Sequence, residues 1–96
     1  NKKVMDLPKI KNMVGFSGNE IKNQFIIQTK GTTIFQSYDS IICIINHNTG
    51  TTTLDRNNWD YSTTTGKYRN IFLGEDKRTT EQKIKSKEYK LKDLNK

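Results

Sequence analysis

The chain of 96 residues has no alanine, one proline, one cysteine and one histidine. Each scarcity excludes something. A single cysteine, Cys43, cannot close an internal disulfide. It sits in Ile41-Ile42-Cys43-Ile44-Ile45, which predicts a buried, inert thiol. The single histidine, His47, falls in a predicted turn with no partner for acid–base work. No run approaches the roughly 20 apolar residues of a membrane span. Residues 1–8 lack the hydrophobic stretch of a signal peptide. A cytoplasmic protein with no membrane partner is therefore expected. No phosphate-cradling glycine loop of the Walker type occurs. Asp39, Asp55 and Asp60 lack the spacing of a metal site, and each has a local role to fill at a strand or helix end. Neither enzymatic activity nor a metal or cofactor is expected. Lys, Asn, Ile and Thr stand where alanine is missing, a bias of AT-rich coding in low-GC bacteria and their mobile elements.

What is present is charge. The net charge is +7 with a pI near 9.6, 28% of residues are charged and only 31% are hydrophobic. This length supports one modest core. The basic balance favours a polyanionic partner, and nucleic acid leads that class.

The fold class read from the pattern is α+β: an antiparallel β-meander, two C-terminal helices and a short N-terminal helix. Residues 1–20 read as an N-terminal arm and 21–96 as a single domain. In the arm, Leu7, Ile10, Met13 and Val14 recur at helical spacing, with Asp6 to cap and Gly15 to stop. Strands follow at Phe25–Thr29 and Thr32–Ser37, joined by Lys30-Gly31, a two-residue hairpin signal. That turn sets Ile27 opposite Ile34 and Ile26 opposite Phe35. A third strand, Tyr38–Asn46, is apolar on both faces and is expected to be central and covered on both sides. After His47-Asn48-Thr49-Gly50, Thr51–Leu54 returns as a fourth strand. Ser62 is a fitting N-cap for a helix from Thr63 to Leu73, with Gly74 at its end. Its wheel places Thr64, Tyr68, Ile71 and Phe72 on one face and Thr63, Gly66, Lys67 and Asn70 on the other. Trp59, Tyr68 and Phe72 are expected to fasten this helix to the sheet. Thr79 and Gln82 form a capping-box pattern for a second helix, Thr80–Lys87. Tyr89–Leu94 alternates as a final strand with an outer lysine face.

Basic residues concentrate toward the end: Lys77–Lys96 holds eight basic and three acidic residues. Helix, glycine-containing turn, basic helix and hairpins are the parts of a winged helix-turn-helix, in an unusual order. Lys67, Arg69, Arg78, Lys83, Lys85 and Lys87 are the candidate phosphate contacts, and Asn70 and Gln82 the candidate base readers. Lys30, with Gly31, or the turn His47–Gly50 would form a wing along the minor groove. Ser62–Arg69 offers a second way to hold phosphate, on the free N–H groups and hydroxyls of a helix start.

Larger blocks of residues carry a resemblance. They are Ser37-Tyr38-x-Ser40-Ile41-Ile42, then Leu54-Asp55, then Trp59-Asp60-Tyr61-Ser62-x-Thr64-Thr65-x-Lys67-Tyr68-Arg69-x-x-Phe72-Leu73-Gly74, then Lys83-Ile84-Lys85-Ser86-x-Glu88-Tyr89-x-Leu91-x-Asp93-Leu94. Over about residues 24–95 the chain resembles a family of small proteins carried by phages, plasmids and other mobile elements of bacteria. The resemblance implies a context and brings no activity or site residue with it. Two readings stay open. One is a non-enzymatic accessory that binds double-stranded DNA, for example marking a plasmid transfer origin for a relaxase, with homo-oligomers allowed. The alternative is an inhibitor that docks on a host nuclease or defence complex.

Overall fold

A computed structural model describes residues 8–96. Five strands run as an antiparallel meander: β1 (Lys9–Val14), β2 (Glu20–Thr29), β3 (Thr32–Ser37), β4 (Ser40–Asn46) and β5 (Thr51–Asp55). Helices α1 (Thr63–Leu73) and α2 (Lys77–Lys85) follow, and β6 (Tyr89–Lys92) closes the sheet beside β5. The class is α+β, with a six-stranded, mostly antiparallel sheet and two helices.

The N-terminal helix is corrected. Lys9–Val14 is a strand, paired with β2 through Ile10 opposite Ile27 and Asn12 opposite Phe25. Its apolar spacing fits a helix, but β2 offers a ladder that pairs the backbone groups on one side of this short arm. Only Met13 of this stretch is buried, which is too little to hold a helix in place. Gly15 makes a hairpin turn, its N–H bonded to the Asn19 carbonyl at 2.9 Å, and stops no helix. The expected Asp6 cap and Leu7 lie outside the described residues.

The first hairpin follows its turn chemistry. Gly31 takes φ 85° after Lys30, and Ile27 faces Ile34 while Ile26 faces Phe35, as expected. β4 is central, and among the described residues the helices pack against a single core on one of its faces. The bulge opposite Phe35 and Gln36 leaves Ile42 between the partners Ile41 and Cys43, so the consecutive Ile42 and Cys43 are both buried. They join Phe35 and Leu54 under the helices. Burial pushes the Cys43 thiol far above its ordinary pKa, so it stays protonated and unreactive.

β6 departs from a simple meander by running parallel to β5, with Leu54 opposite Leu91. Parallel neighbours need a long crossover, and α1 and α2 provide it. Over β3, the Phe72 ring stacks on Phe35 at 5.6 Å and the Thr65 hydroxyl meets that of Ser37 at 3.0 Å. α2 packs on β6. Trp59, Tyr68 and Phe72 all pack against the core while keeping part of their surface in solvent.

α1 begins and ends where its caps predict. Ser62 Oγ accepts from Thr65 N, and Gly74, at φ 71°, donates to the Asn70 carbonyl. Its rotation differs from the wheel. Thr65, Gly66 and Arg69 are buried, while Ile71 is 39% exposed. The reason is polar: a threonine and an arginine find partners inside, as described below. α2 starts three residues before the capping-box estimate because Asp76 caps it by accepting from Thr79 N. Beyond its end, Lys87 holds φ 68°, a position that normally favours glycine. Lys87→Gly is expected to raise stability by about 0.5–1 kcal/mol, since it relieves a strained left-handed residue. A thermal melt checks this, and an unchanged or lower midpoint contradicts it.

A candidate anion-binding cleft at the start of the first helix

Between β5 and α1 the chain turns tightly. Buried Asp55 accepts from Asn57 N and Asn58 N, and its backbone carbonyl accepts from Trp59 N. This turn delivers Trp59-Asp60-Tyr61-Ser62 to the mouth of α1, where a cleft of about 620 Å³ opens. Its walls include Tyr61, Ser62 and Thr63 at the helix start, Lys67 and Asn70 on α1, and Lys77 of α2.

The cleft is braced by a buried arginine. Arg69 is 1% exposed. One terminal nitrogen donates to the Trp59 carbonyl at 2.7 Å and to Asp60 Oδ1 at 3.1 Å. The other donates to Asn70 Oδ1 at 2.9 Å. The guanidinium also lies 5.1 Å from the Trp59 ring centre. Its Nε has no hydrogen-bond partner among the described residues. Asp60 is shared, since Oδ2 binds Lys77 Nζ at 2.7 Å and so ties α1 to α2. Partial burial alone would raise the Asp60 carboxyl. The hydrogen bonds and charge of Lys77 and Arg69 outweigh it and hold the group below the ordinary aspartate value. Lys77 is correspondingly raised, first by its hydrogen bond to Asp60. At neutral pH the cleft thus contains two lysines and an arginine against one carboxylate.

The sequence candidates divide among three places. Lys67, Arg69 and Asn70 meet in the cleft, but only Lys67 is exposed; Arg69 and its acceptor Asn70 form the wall. A guanidinium committed to three oxygens inside the fold positions the cleft and reaches no phosphate in solvent. Gly66, expected on the exposed face, is buried beside Arg69 and Asp60. Arg78, Gln82 and Lys85 share the exposed face of α2, spaced by four and three residues. Lys83 turns inward. It pairs with Glu75 at 2.9 Å and lies 5.2 Å from the Tyr89 ring centre. Glu75 also accepts from Thr80 Oγ1 and Tyr89 Oη, which ties the interhelical turn to α2 and β6. Lys87 follows α2. Lys30 and the turn His47–Gly50 sit together at the far end of the sheet, where His47 N donates to the Gly31 carbonyl at 2.8 Å.

Sequence reasoning missed the pairing of Asp60 with Lys77. Its signal was Asp76, whose capping role moves the start of α2 to Lys77 and points that lysine at the cleft. Asp39 is exposed in the β3–β4 turn, Asp55 holds backbone, and Asp60 holds cations. Among the described residues no three His, Cys, Asp or Glu side chains converge. Nor is any helix among them long and apolar enough to cross a membrane.

Comparison with known proteins gives one match. The profile of a family of unknown function (DUF8033) covers residues 8–90. No curated protein and no solved structure matches the chain.

Proposed function

The chain belongs to the DUF8033 family, and we propose that it is a non-enzymatic DNA-binding accessory of a bacterial mobile element. In this reading the cleft at the start of α1 seats a phosphate of duplex DNA and the exposed face of α2 lies along the same backbone. The observation that carries it is the meeting of Lys67, Lys77, two hydroxyls and a helix N-terminus in one braced cleft on a protein of charge +7. Free N–H groups and the helix dipole favour an anion there, and the lysines add charge, Lys67 from the exposed face of α1 and Lys77 while paired with Asp60.

α2 extends the reading. It runs from the Asp60–Lys77 pair toward Tyr89, which faces Thr52 near the hairpin end of the sheet. Arg78 and Lys85 would contact phosphate along this length, and Gln82 between them is the candidate base reader. α1, the turn Gly74–Asp76 and α2 would then act as a helix-turn-helix-like unit, with the tip at Lys30 and Gly31 as a wing. The resemblance to proteins of phages and plasmids supports the mobile-element context, and a relaxase at a transfer origin is the partner this reading suggests.

Titration of a labelled duplex by fluorescence anisotropy tests it. Binding is expected to weaken steeply with salt, because each neutralised phosphate releases counterion. The double variant Lys67→Ala/Lys77→Ala is expected to bind about tenfold more weakly at low salt, with a salt slope reduced by about two. No complex at micromolar protein in low salt sinks the DNA reading. An unchanged slope in the double variant moves the contact away from the cleft.

A further inference from the structure

A second surface lies on the other side of α2, at the free edge of the sheet. β6 lies at one edge of the sheet, and among the described residues only β5 pairs with it. In a parallel edge strand, alternate residues direct their N–H and C=O groups away from the sheet. Beside this edge runs a groove of about 410 Å³. Its floor is Ile84 of α2 with Tyr89 and Leu91 of β6, and its rim is Lys87, Lys90 and Lys92. Successive strand residues face opposite ways. Tyr89 and Leu91 therefore lie on the helix-bearing face, and Lys90 and Lys92 on the other. The three lysines are exposed, and none has a carboxylate partner among the described residues.

We infer that this edge receives an extended acidic segment of a partner protein, added as a seventh strand beside β6. Three features define the occupant. The open backbone asks for an extended chain, which gains main-chain hydrogen bonds by strand addition. The half-buried Ile84 and Leu91 ask for an apolar side chain at alternate positions. Lys90 and Lys92 ask for a carboxylate at the positions between, where opposite charges across a strand pair are favourable. The segment thus alternates apolar and acidic residues. A second copy of the chain fits poorly, because two β6 edges would set lysines against lysines. A duplex would leave the apolar floor unused. This surface is distinct from the proposed phosphate cleft and does not depend on it.

The test is a titration of the isotope-labelled protein with a short capped peptide of alternating valine and glutamate, followed by amide chemical shifts. Saturable binding is expected, with shifts centred on Tyr89–Lys92, while a peptide of alternating valine and lysine leaves these amides unmoved. Lys90→Glu/Lys92→Glu is expected to weaken acidic-peptide binding by about tenfold or more. Both positions are exposed, and an unchanged melting midpoint verifies the fold of this variant. Equal binding of the two peptides overturns the inference, as do shifts confined to other elements or undiminished binding by the charge-reversed protein. A labelled duplex that shifts the same β6 amides and displaces the peptide also overturns it, and makes nucleic acid the occupant of the edge.

Discussion

Arg69→Ala is expected to destabilise the protein by about 3–5 kcal/mol, the range for removing one partner of a buried ion pair. The side chain is among the largest fully buried ones. Its loss leaves the Trp59 carbonyl and Asn70 Oδ1 without their donor, and Asp60 with Lys77 alone. It also removes the cation from beside the Trp59 ring and leaves a cavity under the first turns of α1. A domain of this size has about 5–15 kcal/mol of stability in total. At roughly 4–8 °C per kcal/mol, the melting midpoint should fall by on the order of 20 °C. Arg69→Lys keeps the charge but cannot reach three acceptors in fork geometry, so it should lie between parent and alanine variant. Thermal melts of the three proteins decide the matter. An alanine variant within about 1 kcal/mol of the parent means that the guanidinium is no brace, and that the cleft is held by something else.

Arg69 also marks the limit of what the sequence makes legible. Turn and cap chemistry is local, so it can be read along the chain. Lys30-Gly31, Ser62 and Gly74 each forecast the geometry found at them. The register of Ile26 and Ile27 follows from the same turn. The inward face of α1 was not legible by hydropathy. A wheel scored on apolar residues turns Ile71 inward, whereas the fold places Thr65 and Arg69 there, because Ser37, Trp59 and Asp60 supply their partners. Those partners are distant in sequence or depend on the Asp55 turn. Likewise Ile10 and Met13 fit helix and strand spacing alike, and only the neighbouring β2 decides. The parallel placement of β6 is a consequence of where two helices lead the chain. Of the candidate site, Lys67 and the helix start could be found by inspection. For Lys77 only half of the signal is local: the Asp76 cap starts α2 at that lysine, but its place in the cleft depends on Asp60 reaching across from before α1.

Asp55→Ala is expected to cost about 3 kcal/mol at neutral pH and to lose much of that effect in acid. Asp55 is fully buried at the end of β5. Its Oδ2 accepts from Asn57 N at 3.1 Å and Asn58 N at 2.8 Å, and its Oδ1 accepts from Leu94 N at 2.7 Å. One carboxylate therefore closes the turn that leads to the cleft and fastens the segment after β6, whose Asn95 side chain in turn bonds the backbone of Ile41. Each buried donor left unsatisfied costs about 1–3 kcal/mol, and partial hydration of an exposed turn keeps the sum near the lower end. Burial alone would raise the Asp55 carboxyl. Hydrogen bonds from Leu94, Asn58, Asn95 and Asn57 outweigh it and hold the group below the ordinary aspartate value. A folded pKa below the unfolded one of roughly 3.9 gives stability that is present above pH 4 and lost as pH falls through the folded pKa. Asp60 and Glu75 are lowered in the same sense, so the variant retains part of the acid dependence of the parent. Urea unfolding of parent and variant at several acidities measures the gap between them. It should be largest near pH 7 and narrow steadily below about pH 4. Amide exchange at Leu94 should quicken in the variant even where the sheet stays protected. A gap of the same size at pH 7 and in strong acid would show that Asp55 acts through packing rather than through its charge, and the turn before the cleft would need another explanation.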